Sequence, residues 1–151
     1  MSYLTDVNRI RRDIEELARF SCIETIGCTC FTYTKEFAQA RDYIMEEMRA
    51  AGLEVREDPV GIVIGKLPGR NPDLPVIMTG SHFDTVKTGG RFDGLAGVSS
   101  ALETARVMHE TGYVPERGIE FVALPEEDGA RFGSGRVGSR AICGQLYADE
   151  M

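Results

Sequence analysis

Histidine is scarce in this 151-residue chain, which has two, and its four cysteines (Cys22, Cys28, Cys30 and Cys143) form no spaced pair of Cys-x-x-Cys motifs. The cysteine spacing does not match a zinc ribbon or finger, and in a reducing compartment Cys28 and Cys30 need no metal role. Lysine and arginine nowhere form a block, and the net charge is −7, which argues against a nucleic-acid or anionic-membrane partner. No apolar run approaches membrane-spanning length. The first twelve residues lack the apolar stretch of a secretory signal, so a cytoplasmic address is the default expectation. What remains is one domain's worth of chain, long enough to bury roughly 68–70% of its unfolded surface.

Against this background one loop is dense in chemistry. Gly80-Ser-His-Phe-Asp-Thr-Val-Lys-Thr-Gly-Gly-Arg-Phe-Asp-Gly94 places His82, Asp84 and Asp93 close together. Val76, Ile77 and Met78 precede it and read as a buried strand, which sets His82 and Asp84 at a strand end. Residues two apart on an extended backbone share a face. His82 can then offer one ring nitrogen to a metal while Asp84 holds the other, an arrangement that fixes ring orientation and basicity. Gly89 and Gly90 permit a reversal that returns Asp93 to His82. The competing reading is a glycine-rich turn with one hydrogen-bonded histidine and two turn aspartates.

Along the chain, Val7, Ile10, Ile14 and Leu17 recur at helical spacing, and residues 21–33 look irregular. Thr34 is a candidate N-cap for a helix with Phe37, Ala40, Ile44 and Met48 on its apolar face and Gly52 as its stop. Residues 54–57 and 60–67 read as strands joined by a turn at Asp58-Pro59, and 68–75 as a surface loop. Leu95, Val98, Leu102 and Ala105 mark a third helix that ends near Gly112. His109, the second histidine, lies near its end, where a cationic side chain suits the helix dipole better than a metal role. Residues 119–124 form a nearly continuous apolar run, a strand covered on both faces. The alternation predicts an α/β layered fold, helix-sheet-helix, around a mixed and largely parallel sheet.

A second acid-rich segment, Pro125-Glu-Glu-Asp-Gly-Ala-Arg-Phe-Gly-Ser-Gly135, follows the last strand. Ligands in open α/β sheets gather at the carboxyl ends of strands, where both this cluster and His82-Asp84 fall. Read alone, the cluster is equally a solvated acidic turn. Gly133-Ser-Gly-Arg-Val-Gly138 matches G-x-G-x-x-G but lacks the strand directly before it that a nucleotide site requires.

The motifs Gly-Ser-His-Phe-Asp-Thr-Val, Gly-Gly-Arg-Phe-Asp-Gly, the acids followed by Gly-Ala-Arg-Phe-Gly, and Val137-Gly-Ser-Arg140 resemble the dinuclear-metal amidohydrolases related to carboxypeptidase G. Within them the resemblance is to the N-carbamoyl-L-amino-acid hydrolase, allantoate amidohydrolase and β-ureidopropionase branch, over roughly residues 34–146. The short spacing between His82 and Asp93 favours this branch over the peptidases of the wider family.

The resemblance implies a zinc-exopeptidase-like fold and two divalent ions, zinc or manganese. His82 then binds one ion, Asp84 orients His82, and Asp93 bridges both, with a cis Asp93-Gly94 peptide as in the family. Two registers fit the acids. One makes Glu127 the general base and Asp128 the ligand; the other makes Glu126 the base and Glu127 the ligand. The first is preferred because the spacing from Asp93 to Gly129 also matches the family pattern, and it puts an aspartate where a glutamate is usual.

The implied activity is hydrolysis of a linear amide or ureido C–N bond in a small molecule, such as an N-carbamoyl-L-amino acid or allantoate. The family supplies one further histidine to each ion from sequence past residue 151, as well as a second domain that serves as lid and dimer interface. On that basis residues 1–151 are expected to be the N-terminal part of the catalytic domain, a fragment weakly active alone, with the homodimer belonging to the longer relatives. Alternatives are a metallo-aminopeptidase or carboxypeptidase-type enzyme and a non-catalytic interaction module derived from one.

Overall fold

The computed structural model describes residues 5–23 and 26–147. Helix α1 (Val7–Arg19) opens on Asp6, whose side chain accepts a hydrogen bond from the Asn8 N–H. Only the C-terminal half of its expected stripe is covered: Ile14 and Leu17 are buried, whereas Val7 is 62% exposed. The same face buries Asp13, which accepts hydrogen bonds from Arg106 at 2.6 Å and from the Tyr43 hydroxyl at 2.8 Å. Burial and that bond to the Asp13 carboxylate raise the Tyr43 pKa. An acid this deep is tolerated because it is paired and hydrogen-bonded, and it ties α1 to the two helices that follow.

Helix α2 (Lys35–Ala50) begins where predicted: the Thr34 hydroxyl accepts from the Phe37 N–H at 3.2 Å. Phe37, Ala40, Ile44 and Met48 are its buried face, and Phe37 stacks on Phe83 with centroids 4.3 Å apart. Strands β1 (Glu54–Glu57) and β2 (Val63–Leu67) form an antiparallel hairpin. The second strand starts later than its apolar run suggests. The Asp58 carboxylate takes the N–H groups of Val60 and Ile62, holding residues 58–62 in the turn.

Strand β3 (Ile77–His82), helix α3 (Leu95–Thr111) and strand β4 (Ile119–Leu124) form a β-α-β unit, and α3 stops at Gly112 as expected. The sheet order is β1-β2-β4-β3, with β2 antiparallel and β3 parallel to β4. The α/β layered fold is as predicted; the sheet is mixed, and its parallel part is the β3–β4 pair, because the hairpin and its junction with β4 run antiparallel. Helices α2 and α3 cover one face through a core that includes Leu95, Val98, Leu102, Phe121 and Ala123. On the other face Ile62, Ile64 and Val122 pack with Leu124 and with Ala141 of the short helix α4 (Val137–Ile142).

One strand departs from expectation. Among the described residues β3 has a strand neighbour, β4, on one side only, and Val76, Ile77 and Met78 are 44%, 52% and 41% exposed rather than buried. Apolar composition reports what a strand is able to bury, not whether a neighbour is present. Among the described residues no helix is long and apolar enough to cross a membrane.

Candidate metal centre

Parallel pairing puts the carboxyl ends of β3 and β4 on the same edge. His82 stands opposite Leu124 in the register, one residue before Pro125 and the acidic segment. Past His82 the chain turns back, but the left-handed residue in that reversal is Thr88 (φ 58°), not the glycine pair. The Asp93 N–H then donates to the Gly90 carbonyl at 3.3 Å, and Asp93 returns with Oδ1 3.7 Å from His82 Nε2. The Asp93-Gly94 peptide is trans, contrary to expectation, for the described chain contains no cis bond. Its sharp bend is made instead at Gly94, with φ 66° and ψ −52° and a Leu95 N–H to Asp93 carbonyl bond of 2.6 Å. That is close to the rare γ-turn, which glycine enters without a Cβ penalty.

The structure brings His82, Asp93 and Asp128 together: one donor atom from each lies within 4.8 Å of the other two. Nitrogen and oxygen donors bind zinc at about 2.0–2.2 Å, so small rotamer adjustments close this triangle on an ion. The tautomer suits the task. His82 Nδ1 lies 3.0 Å from the Asp84 carbonyl and donates to it, so Nε2, which faces Asp93, is the nitrogen that an ion would take once its proton has left. Asp128 Oδ2 accepts from the Val86 N–H at 3.1 Å, which aims the carboxylate at the same point. Cys28 and Cys30 are buried free thiols, and burial raises both pKa values, so neither offers a thiolate.

Asp84 does more than expected, and by a different route. Its carboxylate is 3.6 Å from His82 Nδ1, beyond a good hydrogen bond, and the bond to the imidazole runs through its main chain. The buried carboxylate instead accepts the N–H groups of Glu127 at 3.1 Å and Asp128 at 3.2 Å. It therefore fastens the acidic loop to the histidine loop. With the Asp84 carboxylate alongside, opposed by burial, the His82 pKa is pushed up to about 9. Asp128 is raised above the usual carboxylate range by burial, partly offset by His82.

The sign of the resulting pH dependence follows from His82. Without an ion, its protonated form is favoured by the fold; that contribution is full below the ordinary value of 6.5 and fades as pH rises through about 9. An ion must displace the same proton, so its apparent affinity is expected to rise about tenfold per unit between pH 6 and 8. Manganese titrations across that range check this; a flat profile contradicts it.

The acids of the second segment separate sharply. Glu126 is fully buried, and its Oε1 accepts the N–H groups of Arg131 and Phe132, both at 3.0 Å. Glu127 Oε1 accepts the Ser139 N–H at 2.7 Å and Oε2 the Ser139 hydroxyl at 3.0 Å. Only Asp128 joins His82 and Asp93. The acid brought to His82 and Asp93 is thus Asp128, the ligand of the first register, and not Glu127, the ligand of the second. Glu127 also occupies the amino end of α4, the place a phosphate would need if the glycine motif bound nucleotides. Ser139 went unforeseen as a partner of Glu127, although it lies in Val137-Gly-Ser-Arg140. Val86 carried no signal at all, because a backbone N–H has no sequence signature.

Residues 63–148 match the model of peptidase family M28. The N-carbamoyl-L-amino-acid amidohydrolase of Paenarthrobacter aurescens is 55% identical over 141 residues, which is 93% of this chain and 34% of that protein. The allantoate amidohydrolase of Bacillus subtilis is 42% identical over 125 residues, 83% of this chain and 30% of the relative. A crystal structure of a hydantoinase/carbamoylase family amidase from Burkholderia multivorans superposes with a TM-score of 0.91 at 32% identity, covering 99% of this chain and 36% of that one. The chain thus spans about a third of the length of these relatives.

Proposed function

Since the chain belongs to peptidase family M28, we propose that it is the ion-binding portion of a hydrolase acting on linear amide or ureido C–N bonds. The substrate class is that named for its relatives, N-carbamoyl-L-amino acids or allantoate. The observation that carries this reading is the meeting of His82, Asp93 and Asp128 at the carboxyl ends of β3 and β4, with Glu127 adjacent in the chain.

One imidazole and two carboxylates suit zinc or manganese. Two such ions, when bound, lower the pKa of a water molecule and polarise the scissile carbonyl. His82 through Nε2, and Asp128 and Asp93 through carboxylate oxygens, would hold the ions. Three side chains do not fill two coordination shells, so the remaining positions would fall to water or to other protein segments, and turnover by residues 1–151 is expected to be slow. Glu127 accepts a proton from the attacking water and delivers it to the leaving nitrogen, while Ser139 holds the carboxylate in place until then.

The experiment compares hydrolysis of an N-carbamoyl-L-amino acid, allantoate and a dipeptide by the manganese- or zinc-loaded chain. Turnover is expected for a ureido substrate, with Glu127→Gln lowering it about 10²–10⁴-fold. Faster cleavage of the dipeptide favours a peptidase instead. Absence of turnover on all three substrates would overturn the reading for this chain.

A further inference from the structure

We infer that Glu126 is a positioning residue that sets where Asp128 stands, and that it acts with segment 28–33, from which both acid-bearing loops hang. The inference rests on the ion-site reading above and deepens it.

Glu126 has neither the exposure nor the free geometry of a base. It is fully buried, sits at φ 52°, and spends Oε1 on two consecutive N–H groups, those of Arg131 and Phe132. Its own N–H donates to the buried Thr32 hydroxyl at 3.1 Å, and the Arg131 guanidinium donates to the Thr32 carbonyl at 2.6 Å. Oε2 is buried without a hydrogen-bond partner. A carboxylate kept in such a place, on a left-handed backbone, calls for a reason beyond solvation. Here that reason is geometric: beyond Pro125 the N–H groups of Arg131 and Phe132 close on the Glu126 carboxylate, and those of Arg136 and Val137 return to the Glu127 and Glu126 carbonyls, so Glu127 and Asp128 lie within the loop so closed.

The same segment holds the histidine loop. Cys30 and Thr85 exchange two bonds, the Cys30 N–H to Thr85 Oγ1 at 2.9 Å and the Thr85 N–H to the Cys30 carbonyl at 3.0 Å. Cys28 and Gly89 do likewise at 3.0 and 2.8 Å, and the Thr88 N–H donates to the buried Thr29 hydroxyl at 2.9 Å. The third side of the triangle is the Asp84 carboxylate on the N–H groups of Glu127 and Asp128. The relative position of His82 and Asp128 is thereby held twice, directly through Asp84 and through an irregular segment that contains neither of them.

The test uses the 151-residue chain as wild type, Glu126→Gln, Glu126→Ala and Asp128→Asn. Manganese affinity is measured by titration, and amide hydrogen exchange is followed without metal. Glu126→Ala is expected to weaken manganese binding about tenfold and to speed exchange selectively at Arg131 and Phe132. Gln retains an acceptor oxygen and is expected to restore both to within about twofold. If Glu126→Ala leaves affinity unchanged while Asp128→Asn weakens it, the inference falls. It falls equally if Gln behaves like Ala. If Asp128→Asn itself has no effect, the ion-site reading is what fails, and selective exchange at residues 131 and 132 still reports on the loop. Should Glu126→Ala not fold, Thr32→Val replaces it: faster exchange of the Glu126 amide with weaker manganese binding supports the inference, and unchanged affinity overturns it.

Discussion

Replacing Gly80 with alanine is expected to destabilise the chain by about 4 kcal/mol, at the upper end of what single substitutions do. A Cβ at this position would lie 1.9 Å from the Val122 carbonyl oxygen and 2.8 Å from its carbonyl carbon. Both are main-chain atoms of β4, which is paired on its two sides, so no side-chain rotation relieves the clash. The strands must part where Gly80 pairs with Val122, two residues before His82. Urea unfolding followed by circular dichroism measures the loss, and a change under about 1 kcal/mol would show that β3 does not approach β4 this closely. The ion site should be disturbed as well, because its histidine is carried on that strand.

Asp93→Ala should do the opposite, sparing the fold and removing the ion. The Asp93 side chain is 62% exposed, and its charge adds to the repulsion that raises Asp128, which offsets its 3.7 Å pairing with His82, so the ion-free chain loses little when it goes. Substitutions behind a ligand cost about 10–100-fold in metal affinity, and removal of a ligand itself is expected to cost at least about 100-fold. By linkage, an ion present at 100 times its dissociation constant stabilises the wild type by about 2.7 kcal/mol, nearly all of which the variant forfeits. Melting curves with and without manganese display the contrast directly. Equal melting in chelator and a large gap in manganese is the expected pattern. An equal shift in both proteins would remove Asp93 from the site.

These two substitutions mark what the sequence made legible and what it did not. Helix α2 was readable from Thr34 to Gly52 because cap, stripe and stop are all local, and α3 likewise ended at Gly112. That His82 and the acidic segment come together was readable because both lie at the carboxyl ends of strands, which converge in α/β sheets, whereas the choice of Asp93 and Asp128 as companions of His82 came from the family resemblance. The edge position of β3 was not, since Ile77 and Met78 have the composition of a buried strand whether or not a neighbour is present. Nor was the work of the Asp84 carboxylate, which holds backbone groups 43 and 44 residues away. The buried pairing of Asp13 with Arg106 was hidden for a similar reason: each looks like an ordinary polar residue of an amphipathic helix, and only the packing of α1 on α3 turns them toward each other. Periodicity reports one element at a time; contacts that join three elements leave no trace in it.

The central claim is that His82, Asp93 and Asp128 share an ion. Crystals of the chain grown with manganese, measured for anomalous scattering at the manganese edge, test it most directly. The expected result is a peak within about 2.0–2.3 Å of His82 Nε2 and of an Asp128 carboxylate oxygen, with Asp93 bound to the same ion or between it and a second. A manganese peak elsewhere on the chain, or none at these three side chains in crystals soaked to saturation, would contradict it.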